Sequence, residues 1–397
     1  MLARLRLMRF AALALAAAIL AGCTPPPLQT EASQSGRIEI VPLKTYRTFQ
    51  SRVLMWMAGI RGIDAANAID CYRIIYPSTD EKGRPIRLSG LLALPHGSAP
   101  RGLVSFQHGT TSDRDEVPSN LSTDGLAAAI LFAGNGYAAI APDYTGLGVS
   151  KGAQSYLVAS DTARSVVDMI HAVRHIQGVP GDPPFLVGFS EGGYASLAAQ
   201  RAMEAHGERV LAVAAIAGAY NLRAVSVPFS LKGESPQASV YLALWVRGYA
   251  KRYGHPLDSA FTPRYAALIP RLFDTPRDAE DAVRALPRDP RALFRPEVLD
   301  AIAGKGHHWL VDALKQNEMG DWAAKAPIRL YYGSYDVDVT PIEAATTARQ
   351  MAARGSRIEA VDVGRGDHNT SVFMAVPLIV KWLESLHAQP PRQIRSP

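Results

Sequence analysis

Gly188-Phe189-Ser190-Glu191-Gly192-Gly193 decides how this chain is read. The hexapeptide follows an apolar run, Phe185-Leu186-Val187, and precedes a helix-like run from Tyr194 to Ala205. A serine flanked by glycines at a strand-to-helix junction is the pattern of a nucleophile elbow. The turn is so tight that only residues with little or no side chain fit two positions before and two after the serine, hence Gly188 and Gly192. The strain leaves a hydroxyl exposed at the N-terminus of a helix, where the dipole favours developing negative charge.

Outward from the elbow, strand candidates run over 71–76, 86–94, 103–107, 137–141, 185–187, 210–217, 328–332 and 358–363. From Leu103 onward most are short continuous apolar runs, as expected of strands buried on both faces of a parallel sheet. Helix-like segments over 123–135, 162–176, 192–205, 341–353 and 370–387 separate them. That alternation predicts an α/β fold with a doubly wound, mostly parallel sheet of eight strands, its first two forming a hairpin at one edge. Between Ala217 and Ile328 the alternation fails. Helical patterns over 239–253, 277–285, 296–302 and 308–314 lie there among repeated prolines, and a structureless loop of that length is improbable. The expected organisation is a core of 37–221 and 327–388 carrying a helical cap, 222–326, with a polar tail at 389–397.

The turn His108-Gly109-Thr110-Thr111 after a strand, the run Ala141-Pro142-Asp143-Tyr144-Thr145-Gly146-Leu147-Gly148 and the elbow together resemble the α/β-hydrolase superfamily. The fuller string, from Gln107 through Pro142-Asp143-Tyr144-x-Gly146-Leu147-Gly148 to Gly188-Phe-Ser-Glu-Gly-Gly-Tyr-Ala195, resembles bacterial relatives of secretory lipases of the Candida lipase A type. The resemblance covers roughly residues 70–220 and 325–385, and implies an α/β-hydrolase fold with its cap after the sixth sheet strand.

An alcohol is a poor nucleophile at neutral pH and needs a base, itself oriented by an acid. Ser190 is the expected nucleophile. His368, in the loop after the last strand, is the expected base. The acid should follow the seventh strand. There Gly333-Ser-Tyr-Asp336-Val-Asp338-Val339 resembles the family pattern G-x-x-D-x-x-V, which selects Asp336, and Asp338 stands as the alternative. The oxyanion of an acyl-transfer intermediate needs two backbone donors. These are expected from Glu191, the residue after the nucleophile, and from Thr110 in the loop after the third strand, with Thr111 as its alternative. The Glu191 side chain is expected to face away, as a solvated carboxylate or one held behind the site.

The N-terminal residues 1–22 read as a secretory signal: Arg4, Arg6 and Arg9 precede an apolar stretch, Phe10–Leu20, too short to span a bilayer. Leu20-Ala21-Gly22-Cys23 resembles the lipobox of bacterial lipoproteins. That resemblance implies cleavage before Cys23, acylation of Cys23 and, with Thr24 following, a place at the outer membrane of a bacterial envelope. Residues 23–36 read as a polar, proline-containing tether off the core. The formal charge of +6 falls to +3 once three arginines leave with the signal (6 − 3 = 3), too little to argue for nucleic acid. Cys71, the second of two cysteines, then has no partner and reads as buried filler.

Other motifs have plainer readings. Gly146-x-Gly148 lacks the third glycine of a dinucleotide fingerprint, and Asp143 and His108 read as braces of their turns. His171 and His175 have i, i+4 spacing without the glutamate of a zinc helix, and His307-His308 has no ligand context. No cofactor or metal is expected. The apolar stripe Val240, Leu242, Leu244, Trp245 and Tyr249 reads as cap core or as an acyl groove. The sequence therefore points to a serine carboxylesterase or lipase acting on small-molecule or lipid esters, anchored to membrane through Cys23. A serine peptidase or amidase of the same fold and a non-catalytic envelope lipoprotein are the alternatives.

Overall fold

The apolar runs pair edge to edge in the computed structural model, which describes residues 23–31, 37–57, 60, 63, 65–273 and 279–388. They form one sheet of nine strands: β1 (Glu39–Tyr46), β2 (Ile69–Thr79), β3 (Pro85–Pro95), β4 (Leu103–Gln107), β5 (Ala138–Pro142), β6 (Phe185–Phe189), β7 (Ala212–Ile216), β8 (Ile328–Tyr332) and β9 (Ile358–Asp362). Their order is β1-β2-β3-β5-β4-β6-β7-β8-β9. All pairings from β5 to β9 are parallel, and β1, β2 and β3 add an antiparallel edge.

The continuous apolar runs face two cores. Along β6, Phe185 and Val187 enter one buried cluster and Leu186 the other; along β7, Ala212, Ala214 and Ile216 alternate with Val213 and Ala215 in the same way. Helices α1 (Thr48–Met57), α2 (Thr123–Phe132) and α12 (His368–Ala388) cover one face. Helices α3 (Ala159–Val173), α4 (Glu191–Ala205) and α11 (Ile342–Ala352) cover the other. This is the expected doubly wound α/β-hydrolase fold.

Two expectations need correction at the N-terminal side. The sheet has nine strands and not eight, so the β2–β3 hairpin is not the edge. The additional strand β1 carries Pro42 and changes register between Pro42 and Lys44. A proline and an irregular register weaken the strand pattern in sequence, yet both are tolerated on an edge. The segment expected as a free tether is also partly docked. The Thr45 N–H donates to Cys23 O (2.8 Å), Tyr72 Oη donates to Pro26 O (2.8 Å), and the Gln177 N–H donates to Gln29 O (2.9 Å). Pro25 is buried and Leu28 packs on the core. A buried proline ring and backbone pairing to two elements hold down what composition alone reads as linker. The signal over 1–22, the rest of the tether at 32–36 and the tail at 389–397 lie outside the described residues.

Between β7 and β8 the described chain is helical: α5 (Val227–Ser230), α6 (Ala238–Tyr253), α7 (Pro263–Phe273), α8 (Ala279–Ala285), α9 (Pro296–Ile302) and α10 (Trp309–Gln316). Pro263 opens α7, where its missing N–H costs nothing, and Pro270 lies inside that helix. The insertion does not form a separate body. Val240, Leu242, Leu244, Trp245 and Tyr249 of α6 belong to the same buried cluster as Leu186 of β6 and Tyr194 of α4. Tyr249 Oη and Tyr194 Oη both donate to Leu157 O, at 3.0 Å each. Trp245, 2% exposed, is thus a core residue of the whole chain. Trp245→Ala is expected to cost about 3–5 kcal/mol of global stability. A denaturation midpoint that stays put would show instead that the insertion packs independently.

Candidate active site

Gly188 and Gly192 are required by clearance. A Cβ on Gly188 would lie 1.9 Å from Gly192 O, and one on Gly192 would lie 1.9 Å from Gln107 O, far inside contact distance. The close approach holds Ser190 between β6 and α4 with φ +56°, in the left-handed region that a non-glycine residue occupies only under constraint. The Ser190 N–H donates to Ile216 O of β7 (2.8 Å), which locks the turn to the next strand. Glu191, first residue of α4, carries one of the N–H groups that lack an acceptor within a helix.

The C-terminal ends of neighbouring parallel strands bring the other expected residues to this turn. His368 follows β9 as the first residue of α12, and Asp336 follows β8. His368 Nε2 lies 2.9 Å from Ser190 Oγ, and His368 Nδ1 lies 2.8 Å from Asp336 Oδ2. All three residues are buried. Asp336 Oδ1 accepts from the N–H groups of Asp338 (2.9 Å) and Val339 (2.8 Å), so the turn itself fixes the carboxylate. The imidazole packs against Phe189, with ring centroids 4.8 Å apart. The alternative acid, Asp338, points elsewhere: it accepts from Ser235 Oγ of the helical insertion. Asp336, Asp338 and His368 do bring donor atoms within 4.8 Å of one another, the spacing of a cation site. Both imidazole nitrogens and Asp336 Oδ1 already have partners, which fits a hydrogen-bonded chain better than a ligand set.

Thr110 sits after β4, on the polar side of the cleft with His368. Its Oγ1 lies 3.0 Å from Tyr156 Oη. The Gly109 N–H donates to Asp124 Oδ2 (2.9 Å), a carboxylate in the first turn of α2 that holds this loop. Thr111 turns its hydroxyl to Asp113, accepting from its N–H and donating to its carbonyl (3.1 Å each). His108 stacks on Tyr144 at 4.2 Å and bonds Gly109 O, a brace as expected. Asp143 accepts from Ser89 Oγ and the Ser119 N–H, bracing its turn. His171 and His175 pair with Glu208 and Glu31 on the surface, and His307 pairs with Asp312, while His308 caps α10 by accepting from the Leu310 N–H. Cys71 is buried, and burial pushes its thiol up to about 12.

The cleft has two unlike sides. One is apolar, lined by Leu157, Leu222, Val227, Phe229, Leu242 and Trp245, and reaches Ser190. The other is polar, lined by Thr110, Thr111, Ser122, Thr123, Gln237 and Asn369, and reaches His368. Residues of the insertion are on both sides. The sequence stripe on α6 thus belongs to core and cleft at once: Leu242 and Trp245 face the apolar side, Val240 and Leu244 the polar one, and Tyr249 the interior.

The Glu191 side chain departs from expectation. It is buried and lines the apolar side beside Ser190, with Gln154 Nε2 at 3.4–3.5 Å. Burial pushes its carboxyl well above the usual range, and the Gln154 amide opposes this only in part. Glu343, on the same cavity wall, is also raised by burial, against the hydrogen bonds of Ser226, Asn221 and Tyr220. Loss of water around a carboxyl with one amide donor favours its protonated form over the ionised one.

A family model described as the alpha/beta hydrolase family matches residues 108–377. A Legionella pneumophila protein classed as a hydrolase has a similar structure: 24% identity, TM-score 0.82, 88% of this chain and 98% of that one covered. The rice cell wall degrading esterase LipA from Xanthomonas oryzae superposes at TM-score 0.78 with 22% identity, covering 87% of this chain and 97% of its own. Candida antarctica lipase A in its closed state gives TM-score 0.64 at 14% identity, over 90% and 84% of the two chains. No curated protein sequence matches the chain.

Two measurements probe this geometry. Asp336→Asn is expected to cut hydrolytic turnover by about 10³–10⁴-fold, because an amide holds the wrong imidazole tautomer, whereas Asp338→Asn stays within about tenfold. The reverse ranking would place the acid at Asp338. The second concerns pH. A buried acid whose folded pKa is raised binds its proton more tightly in the folded state, so it draws stability from the protein as pH rises above the unfolded carboxyl value near 4.3. Glu191→Gln removes that penalty. Its melting temperature should gain on the wild type progressively from pH 5 to pH 8, with hydrolytic activity retained because the backbone N–H is unchanged. A stability difference that is flat with pH would mean that Glu191 is ionised.

Proposed function

The chain belongs to the alpha/beta hydrolase family, and on that premise we propose that it is a serine carboxylesterase or lipase. The observation that carries the reading is the continuous chain from Ser190 Oγ through His368 to Asp336, at 2.9 Å and 2.8 Å. Ser190 attacks the ester carbonyl while His368 Nε2 takes its proton, and Asp336 holds Nδ1 protonated and stabilises the imidazolium. The oxyanion is received by the N–H groups of Glu191, at the positive end of α4, and of Thr110. His368 then delivers its proton to the departing alcohol, and an activated water cleaves the acyl-enzyme by the same route in reverse. The apolar side of the cleft suits the acyl chain, and the polar side suits the alcohol. Burial, which favours the protonated form of the Glu191 carboxyl, works against a second negative charge beside the oxyanion.

Structural likeness to esterases and a lipase favours ester over amide substrates. We further infer from Leu20-Ala21-Gly22-Cys23 that Cys23, which is exposed, is acylated and ties the chain to a bacterial outer membrane. The decisive experiment pairs fluorophosphonate labelling with a panel of p-nitrophenyl esters from C2 to C16 and aminoacyl anilides. Wild type should be labelled at Ser190 and should cleave esters. Ser190→Ala should lose both while keeping its fold, with turnover down by several orders of magnitude. A wild type that resists the probe would refute the mechanism, and preference for the anilides would make the enzyme a peptidase or amidase.

A further inference from the structure

Helix α1 shows an unusual outer face. Phe49, Trp56 and Met57 are 44%, 68% and 65% exposed, while Gln50, Ser51 and Met55 face inward. From Lys44 to Met57 the described chain carries Lys44, Arg47 and Arg52 and no carboxylate. Exposed aromatic and sulfur side chains on a short helix set among cations match the surface of an anionic bilayer.

What lies beside this helix names its occupant. Cys23 O accepts from the N–H of Thr45, three residues before α1 begins. A free tether over residues 24–36 would let an anchored domain roam by about 20 Å in root-mean-square reach. The docked segment removes that slack, because Pro26, Gln29 and Glu31 are all bonded to the body of the protein. An acyl group on Cys23 therefore leaves the protein beside Thr45, three residues before α1, and not at the end of a leash.

The sheet fixes where that point lies relative to the cleft. β5 runs toward the cleft, β3 runs away from it, β2 toward it and β1 away again. Thr45 pairs with Asp70, which pairs with Leu94, near the end of β3 farthest from the cleft. Gly90, opposite the last residue of β5, is four positions back along β3, so about 13 Å of sheet separates the Cys23 level from the strand ends that carry the site.

We propose that the Phe49–Trp56–Met57 face of α1 rests on an anionic phospholipid surface, and that the docked strap behind Cys23 holds the catalytic cleft turned away from it. The strap half rests on the anchor reading given under Proposed function. The substrate is then an ester arriving through water, not a lipid of the bilayer that carries the enzyme. Acyl chains supply the affinity; α1 supplies the orientation.

The test uses the full chain, extracted from membranes and reconstituted into phosphatidylethanolamine–phosphatidylglycerol vesicles with brominated acyl chains. Tryptophan emission should be quenched in wild type, and quenching should fall by about threefold or more in Trp56→Phe. Phe49→Asp with Met57→Asp should likewise lose quenching while keeping palmitate label and activity on a soluble ester. Equal quenching in Trp56→Phe, or none in wild type, overturns the docking; cross-linked dimers with an unquenched Trp56 would give the face to a second copy and do the same. A water-soluble fluorophosphonate should label vesicle-bound and detergent-solubilised enzyme within about twofold of the same rate, and labelling about tenfold slower in vesicles would overturn the orientation. A chain that labels in neither state fails as a serine hydrolase instead. A chain that takes up no palmitate refutes the anchor and the strap half with it, and Trp56 quenching by added vesicles then decides the α1 face alone.

Discussion

The structure depends on one steric contact, the approach of the Gly188–Gly192 turn to backbone on both sides. With any side chain at either position, β6 and α4 could not meet at this angle, since the added carbon would fall 1.9 Å from a carbonyl oxygen. The turn in turn forces Ser190 to positive φ and aims its hydroxyl out of the sheet, while its N–H is tied to Ile216 of β7. From there, parallel register does the rest. β8 and β9 end beside one another, and their following loops deliver Asp336 and His368 to the same spot without any long-range adjustment. The site is a property of the sheet's rim.

Burial then sorts the carboxyl groups around that rim. Glu191, Glu343 and Asp143 are enclosed and held toward the neutral form by loss of water; Glu343 accepts from the N–H groups of Tyr220 and Asn221 much as Asp336 accepts from those of Asp338 and Val339, but of these only Asp336 bonds the imidazole. Acidic residues in the cleft thus differ in role through their donors and not through their identity. A net-charge argument from composition has no access to this distinction, because it counts all of them alike.

The parts of the fold legible in sequence are those with a strong local signature. Buried parallel strands are short apolar runs, the elbow is spelled by two glycines, and His368 comes after the last strand, where it opens α12. β1 escaped because Pro42 and the register shift between Pro42 and Lys44 break its period, both permissible because, among the described residues, no strand lies beyond it. Helix α1 escaped because its exposed face is apolar, which erases the contrast that marks an amphipathic helix. Residues 23–31 looked like linker because proline and polar residues dominate them, and their attachment runs through backbone groups that carry no sequence signal. Asp336 and Asp338 are separable by pattern only through family likeness; geometry separates them directly, since the two carboxylates point to different partners. The contribution of Tyr156, Leu157 and Gln154 to the cleft rests on a loop fold with Leu157 at φ +52°, for which composition offers no cue.

The sharing of α6 between core and cleft bears on how such an enzyme can change. In a protein with a detachable lid, residues that touch substrate can be altered with little penalty to folding. Here Leu242 and Trp245 line the apolar side of the cleft and are also packed into the cluster that joins insertion to sheet. A substitution that widens the acyl side therefore opens a cavity in the protein's main core, and the loss is of the size that decides whether a chain folds at all. New substrate preferences along this wall would have to arrive after, or together with, stabilising changes elsewhere, whereas the polar wall, to which the loop residues Thr111, Ser112 and Glu116 contribute, is free to vary first.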